Sequence, residues 1–191
     1  MSQIINFEKV ITLPAGEQVR LRFLQKEDAE SLGEYLRSLS AESKGRFGPH
    51  AFDQATVAQI CNNLNPLESL RVIALTDNAT PKVIGYMILV MGVSEAEKVR
   101  YNQLGLSLNS QTDATFAPSI ADDYQNKKLG SAMMVYLVEV AQQIGLKHLV
   151  LMGGTQATNP RAIHFYEKFG FKKVGEFEYN NLNNYDMILT L

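Results

Sequence analysis

The sequence predicts a mixed α/β fold in which helices pack against a mixed β-sheet. Two observations predict it. Segments rich in Val, Ile and Leu alternate with segments whose apolar residues recur every three or four positions, and no internal repeat or low-complexity linker interrupts this order. The 191 residues, 46% of them hydrophobic, are expected to form one domain of about seven strands and four helices, with residues 1–18 as an N-terminal extension. A tight pair of subdomains also fits this length.

The first half of the chain reads as one strand, two helices and two further strands. From Val19 to Phe23, apolar residues alternate with arginines, which is the period of a half-buried strand. Asp28 and Asp53 are the expected N-caps of the two helices. The first helix is expected to end before the polar stretch 40–44, and the second where Asn65 precedes Pro66. The two strands that follow are expected at Leu70–Leu75 and Val83–Met91.

The second half begins with a polar insert, Ser94–Asn109, that has no clean period. A helix of about four turns is expected from Leu129 to Ile144, closed by Gly145. A last helix is expected between the N-cap Asn159, which precedes Pro160, and Gly170. The predicted strands of this half are Ala114–Ile120, His148–Met152, Phe171–Tyr179 and Tyr185–Leu191.

Charge and cysteine content exclude several classes of function. Eighteen Lys and Arg residues against 20 Asp and Glu residues give a net charge of -2, so the field of the whole molecule attracts neither nucleic acid nor an anionic membrane. The single cysteine, Cys61, cannot form an internal disulfide or a Cys-x-x-Cys site. Met1–Asn6 lack the pattern of a signal peptide, and no window approaches the roughly 18 apolar residues of a membrane span. We therefore expect a cytoplasmic protein without a metal.

The segment from Ala114 to Ser131 is the one that indicates chemistry. It reads as strand, turn and helix, and such a junction directs backbone amides and the positive end of a helix dipole toward one point, where an anion is stabilised. The chain contains neither G-x-x-x-x-G-K-[ST] nor G-x-G-x-x-G after a strand, so the nucleotide cofactors of those folds lack their signatures. A different phosphate ligand is expected.

Two ordered motifs resemble the GNAT superfamily of N-acetyltransferases. Gln125-Asn-Lys-Lys-Leu-Gly130 is similar to the family's pyrophosphate loop, [R/Q]-x-x-G-x-[G/A]. Asn159-Pro-Arg-Ala-Ile-His-Phe-Tyr166-Glu-Lys-Phe-Gly-Phe171 is similar to its N-x-x-A-x-x-x-Y-x-x-x-G-F segment. The order of the elements from about Val19 to Leu191 also resembles the acyl-CoA N-acyltransferase fold, in which strands 4 and 5 splay apart.

The resemblance implies an N-acetyltransferase in which a primary amine attacks acetyl-CoA directly within a ternary complex. The alternative is a regulatory or sensor module that binds acetyl-CoA with weak or lost catalysis. Tyr166 is the implied proton donor to the departing thiolate. The residues implied in binding acetyl-CoA are Ile120, Ala121, Gln125, Asn126, Lys127, Lys128, Leu129, Gly130, Ser131, Asn159 and Tyr166.

The sequence departs from the family pattern at three places. Lys128 replaces the first loop glycine; a lysine is sterically possible there if it lies in the first helical turn with right-handed dihedral angles, and we expect binding to be retained. Pro118 stands where a backbone N–H is expected to point at the thioester oxygen, and a β-bulge would give this role to Ser119. The glutamate that often serves as general base is replaced by Ala114-Thr115. Asp113, Asp122 and His50 are the alternatives that remain for the base.

The acceptor is left open by the sequence. The chain resembles a bacterial branch that includes protein lysine acetyltransferases around Leu39-Ser-Ala-Glu-Ser43 and Arg46-Phe47. A small-molecule amine and a protein lysine are therefore both expected acceptors, and a homodimer through terminal strands is common in the family.

Overall fold

A computed structural model describes residues 8–191; the sequence prediction about a signal peptide in Met1–Asn6 lies outside these residues. The six α-helices of the described part are α1 Ala29–Ser38, α2 Ala41–Arg46, α3 Gln54–Asn62, α4 Glu95–Gln103, α5 Leu129–Gln143 and α6 Pro160–Lys168. Its nine strands are β1 Lys9–Thr12, β2 Gln18–Phe23, β3 Ser69–Thr76, β4 Val83–Met91, β5 Asp113–Ile120, β6 His148–Leu151, β7 Thr155–Gln156, β8 Lys172–Tyr179 and β9 Leu182–Thr190. Helices on a mixed sheet confirm the predicted fold class.

The chain forms two compact units. The first comprises the described residues up to Ile88 together with Pro118–Val140. In it, β1, β2, β3 and β4 lie side by side in that order. The second comprises Leu89–Ala117 and Ala141–Leu191. In it, β5 pairs with β6 in parallel and β6 pairs with β9 antiparallel, while β7 and β8 also pair with β9.

The structure confirms some of the predicted helix boundaries and corrects others. The N-caps Asp53 and Asn159 are confirmed, since their side chains accept from the backbone N–H groups of Thr56 and Ala162. Asp28 precedes α1 without capping it, because its carboxylate accepts from Arg22 and from the Gln25 N–H instead. Helix α3 ends at Asn62, three residues before the predicted Asn65.

Four elements were missed by the sequence patterns. Strand β1 lies within the segment expected to be an extension and pairs antiparallel with β2. Helix α2 occupies the stretch read as polar and non-helical, and α4 occupies the insert without a period. The two-residue strand β7 follows the paired glycines 153 and 154. Short or polar elements such as these lack the apolar stripe on which periodicity depends.

Helix α5 owes its position to close packing in the first unit. A Cβ atom on Gly85 of β4 would lie 2.6 Å from Sδ of Met133, so a larger residue here would require the Met133 side chain to shift. The ring of Tyr136 contacts that of Phe23 edge-on, with centroids 6.5 Å apart. These contacts pack α5 against the start of β4 and the end of β2.

The predicted separation of strands 4 and 5 corresponds to β5 and β6. Their registered pairs run from Asp113 to Phe116 and stop four residues before the end of β5. Strand β6 itself ends at Leu151, so the splay of the two strands stays a prediction. Within residues 8–191, no helix is both long and apolar enough to cross a membrane.

Candidate functional site

The turn that precedes α5 has an alternating backbone conformation. Asn126 and Lys128 have φ angles of 62° and 70°, in the left-handed region, whereas Lys127 between them does not. Such alternation turns successive N–H groups toward one concave surface, which binds anions in many proteins. The Lys128 carbonyl accepts from Ala132 N–H at 3.0 Å, so the turn leads directly into the helix, whose first N–H groups also point outward. The turn and the helix start together fit a pyrophosphate.

Lys128 does not meet the condition of right-handed helical angles under which a lysine was expected to fit. Helix α5 begins one residue later, and the φ angle of 70° is one that glycine adopts more readily than lysine. Asparagine at position 126 tolerates the same conformation better, because its short polar side chain can hydrogen-bond locally. Lys128 is exposed to solvent on this turn, and the Lys127 ammonium lies 5.3 Å from the centroid of the Tyr124 ring.

Replacing Lys128 by glycine is expected to raise the free energy of unfolding by about 0.5 to 1 kcal/mol, because relief of the left-handed strain exceeds the extra entropy of the unfolded chain. Lys127→Gly removes the same charge at a position without a left-handed φ angle and is expected to be destabilising. Urea titrations of the two variants without ligand check this. A Lys128→Gly variant no more stable than Lys127→Gly would show that position 128 is unstrained.

Asp122 is a structural anchor at the end of β5. Its carboxylate accepts from the Ser40 N–H at 2.8 Å, from the Ser40 hydroxyl at 3.0 Å and from the Ser43 hydroxyl at 2.6 Å. The Gln125 side-chain amide donates to Ser43, to Asp122 and to the Ile120 carbonyl. Asp122 was one of the candidates for the general base. Its carboxylate is instead engaged in holding the start of α2 beside the turn.

Part of the main chain expected to be unpaired is paired. The Ala121 N–H donates to the Ile84 carbonyl at 2.9 Å, and the Ala121 carbonyl accepts from Tyr124 at 2.8 Å. The Gln125 N–H donates to the Asp122 carbonyl. The expectation that the Ala121 backbone is free for the pantetheine arm is wrong, because β4 already uses it. The part of this segment whose backbone suits an anion is therefore the later one, 126–131.

Ser119 lies at the end of β5 with its side chain buried. Its hydroxyl is 2.8 Å from the hydroxyl of Tyr35 on α1, and burial raises the pKa of Tyr35. Pro118, which has no N–H, lies within β5, two residues beyond the last registered pair with β6. The bulge that would direct the Ser119 N–H toward a thioester stays a prediction.

Asp113 is buried at the start of β5, in the second unit. It is 2% exposed, accepts from the Asn109 N–H at 2.7 Å and lies 2.9 Å from Nδ1 of His148. Asp113 and Ile120 thus stand at opposite ends of the strand. These bonds give Asp113 a structural role at the start of β5.

His50 lies in the loop between α2 and α3. Its Nδ1 is 2.8 Å from the Ala51 carbonyl, which can only accept, so Nδ1 carries the proton. Nε2 is buried and has no hydrogen-bond partner among residues 8–191. Burial lowers the pKa of His50; the bond to the Ala51 carbonyl opposes this, and the nearby Arg71 guanidinium lowers the pKa further. The ring is therefore neutral near pH 7 and presents a bare Nε2 lone pair.

Tyr166 lies on α6 among aromatic rings of the second unit. Its ring contacts those of Phe116, Phe165 and Phe171, at centroid distances of 6.4, 5.5 and 5.4 Å. Within residues 8–191 its hydroxyl has no hydrogen-bond partner, and burial raises its pKa. Asn159 on the same helix caps it through Oδ1, which leaves its side-chain NH₂ as a donor.

Sequence patterns missed three polar groups of the first unit. They are Tyr35, which meets Ser119, and the pair of Arg71 on β3 and Tyr86 on β4, in which the guanidinium donates to the phenol. The available signal was an arginine and a tyrosine inside strands that are otherwise apolar, since such residues are rarely buried without a partner.

Comparison with known proteins adds a family match. A model described as the acetyltransferase (GNAT) family matches residues 34–171. No curated protein matches the chain significantly.

Solved structures with the same fold share little sequence with the chain. The GNAT domain of S. lividans PAT superposes with a TM-score of 0.74 at 17% identity, covering 96% of this chain and 97% of that one. The yncA protein from Salmonella typhimurium, solved with its cofactor acetyl-CoA, gives 0.63 at 16% identity, covering 90% and 93%. The spermidine/spermine N-acetyltransferase SpeG from Vibrio cholerae gives 0.61 at 20%, covering 91% and 95%. At these identities the likeness shows the fold.

Proposed function

Because the chain belongs to the acetyltransferase (GNAT) family, we propose that it transfers the acetyl group of acetyl-CoA to a primary amine by direct attack in a ternary complex. The observation that carries the proposal is the turn at 126–128, whose two left-handed residues lead into the N-terminus of α5. This backbone suits a pyrophosphate without a Walker-type sequence. A covalent acetyl-enzyme is not part of the proposal, since burial raises the pKa of the one thiol, Cys61.

Binding of acetyl-CoA is assigned to the turn and to α6. The amides of 126–131 would receive the pyrophosphate, with the Lys127 and Lys128 ammonium groups adding positive charge. The Ile120 backbone and the Asn159 side-chain NH₂ would bind the pantetheine arm, as the family resemblance implies. Ala121 is left out of this set because its backbone is already paired.

The reaction needs a base, an oxyanion donor and an acid. An amine with a pKa near 10.4 is neutral in only about one molecule in 2500 at pH 7, so a group must accept its proton before attack. We assign this role to Nε2 of His50, which has a lone pair and no hydrogen-bond partner in the described part of the chain. Asp113 is less suited, because it is buried and bonded to Asn109 and His148. As the C–N bond forms, the Ser119 N–H would stabilise the oxyanion. As the C–S bond breaks, the Tyr166 hydroxyl would protonate the sulfur.

A second function has its own support. Pro118 supplies no N–H at the expected oxyanion position, and loss of one such donor costs roughly 100- to 1000-fold in other enzymes. A regulatory module that binds acetyl-CoA and turns it over weakly would tolerate this proline. Release of free thiol with a panel of amines, including polyamines, aminoglycosides and peptidyl lysine, separates the two functions. Micromolar binding without release for any amine supports the module.

Gly130→Gln is expected to weaken acetyl-CoA binding by at least about tenfold, because a side chain at the second residue of α5 would crowd the pyrophosphate. Calorimetric titration with acetyl-CoA measures the change. Val135→Gln introduces the same side chain at an exposed position of the same helix and is expected to bind acetyl-CoA normally. Equal affinity of the Gly130→Gln and parent proteins would place the phosphate elsewhere.

Location and assembly complete the proposal. A buried, unpaired cysteine suits the reducing cytoplasm. A homodimer through terminal strands and a protein lysine as acceptor are predictions taken from the family resemblance, and gel filtration with light scattering tests the first.

A further inference from the structure

Arg71 and Tyr86 form a polar pair on neighbouring strands of the first unit. Nη1 of the half-buried Arg71 donates to the hydroxyl of Tyr86, which is fully buried. A guanidinium has five N–H donors, so most remain after this bond. The hydrogen of the Tyr86 hydroxyl has no acceptor within residues 8–191. The pair thus offers several donors and no negative charge.

Arg71 differs from the other half-buried arginines in having no carboxylate partner. Arg22 pairs with Asp28 at 2.6 Å, and Arg100 pairs with Asp186 at 3.0 Å. In the described part of the chain, Arg71 belongs to no ion pair. Burying part of a cation without a counter-charge is costly, so an anion from outside the protein would be favoured at this position.

His50 supplies an acceptor beside these donors. Its ring centroid is 5.7 Å from that of Tyr86, and the Arg71 charge is close enough to lower the pKa of His50. A buried acceptor without a hydrogen bond is costly, so Nε2 also requires a partner that carries an N–H or O–H group. The Phe47 ring contacts both His50 and Tyr86, at 5.7 and 6.1 Å between centroids, and adds an apolar surface beside them.

The cluster adjoins the end of β5. Strand β4 lies beside β5, and the Ala121 N–H donates to the carbonyl of Ile84, two residues before Tyr86 on β4. Ser119 directly precedes Ile120, the residue assigned to the pantetheine arm. An acceptor bound at Arg71 and Tyr86 would therefore lie near the end of β5, where the acetyl group is proposed to lie.

We propose that Arg71 and Tyr86 bind the carboxylate of the acceptor, while Nε2 of His50 faces its amino group, so that the substrates are free α-amino acids. This inference rests on the proposed acetyltransferase function and names its acceptor class. One ligand of this class satisfies the unpaired donors and the unpaired acceptor together, since its anionic and amine groups are separated by a single carbon. A polyamine offers no anion to Arg71 and places a positive charge beside it.

The test compares L-amino acids with their primary amides as acceptors, because this change removes only the negative charge. The parent protein is expected to show kcat/KM about 10- to 100-fold higher for the acids, as for hydrogen bonds to a charged group. Arg71→Gln is expected to abolish this preference, and Arg71→Lys to keep only part of it, since lysine lacks the planar fork. Arg20→Gln removes an exposed arginine from neighbouring β2 and is expected to leave the preference unchanged.

Binding of N-acetyl amino acids and of their amides, measured by calorimetry, gives a second readout that needs no turnover. Tighter binding of the carboxylate forms that disappears in Arg71→Gln supports the inference even in a catalytically weak protein. Equal use and equal binding of acids and amides by the parent would overturn it, as would a preference that survives in Arg71→Gln. Failure to bind acetyl-CoA, by contrast, overturns the proposed function itself.

Discussion

Tyr166→Phe is expected to lower kcat by about 100- to 10,000-fold while the affinity for acetyl-CoA changes little, because the variant loses only the proton donor to the thiolate. Burial raises the pKa of Tyr166, which weakens it as an acid. A thiolate in equally apolar surroundings has a raised pKa too, so the transfer remains feasible. Rates of thiol release at saturating amine, together with calorimetric titration, measure the two effects separately.

Stability gives an internal control for this variant. The Tyr166 hydroxyl has no hydrogen-bond partner within residues 8–191. Removing this hydroxyl alone is therefore expected to leave the melting temperature nearly unchanged. Tyr179→Phe, at an exposed tyrosine of β8, is expected to keep full activity. A Tyr166→Phe protein with parental kcat would remove the phenol from the mechanism.

His50→Gln is expected to lower kcat/KM at neutral pH by about 100- to 10,000-fold, because glutamine cannot accept the proton of the amine. In the parent, kcat/KM is expected to fall on the acid side with an apparent pKa below 6.5, since burial lowers the pKa of His50 from that value. Arg71 and Tyr86 are the charged and titratable groups beside the ring, and the Arg71 charge acts in the same direction. An acid limb that persists unchanged in His50→Gln would assign the base to another group.

The same lowered pKa has a consequence for stability. Between the folded-state pKa of His50 and 6.5, the unfolded chain binds more protons than the folded chain. The contribution of the neutral ring is therefore fully present above pH 6.5 and is lost as the pH falls below it. Urea titrations at several pH values measure the slope, which His50→Gln is expected to reduce. His164→Gln, at an exposed histidine, is the matched control.

How far the sequence predicted the fold depends on how local each signal was. Asp53 and Asn159 cap their helices through bonds to residues three positions ahead, so a short window contains the whole interaction. Helix α4 has a capping box of the same kind, Ser94 with Glu97, but its weak apolar stripe hid it from periodicity. Helix α2 is only six residues long, and Asp122, about 80 residues away, holds its first turn.

The sequence by itself determined the family resemblance, the position of the turn at 126–128 and the start of α5, because these depend on neighbouring residues. Tertiary structure decided the left-handed backbone at Lys128, the loss of the Ala121 N–H to β4 and the meeting of Arg71 with Tyr86. The last two depend on which strands become neighbours in the folded protein. Residues far apart in the chain then compete for the same hydrogen bonds, and a local pattern cannot contain that competition.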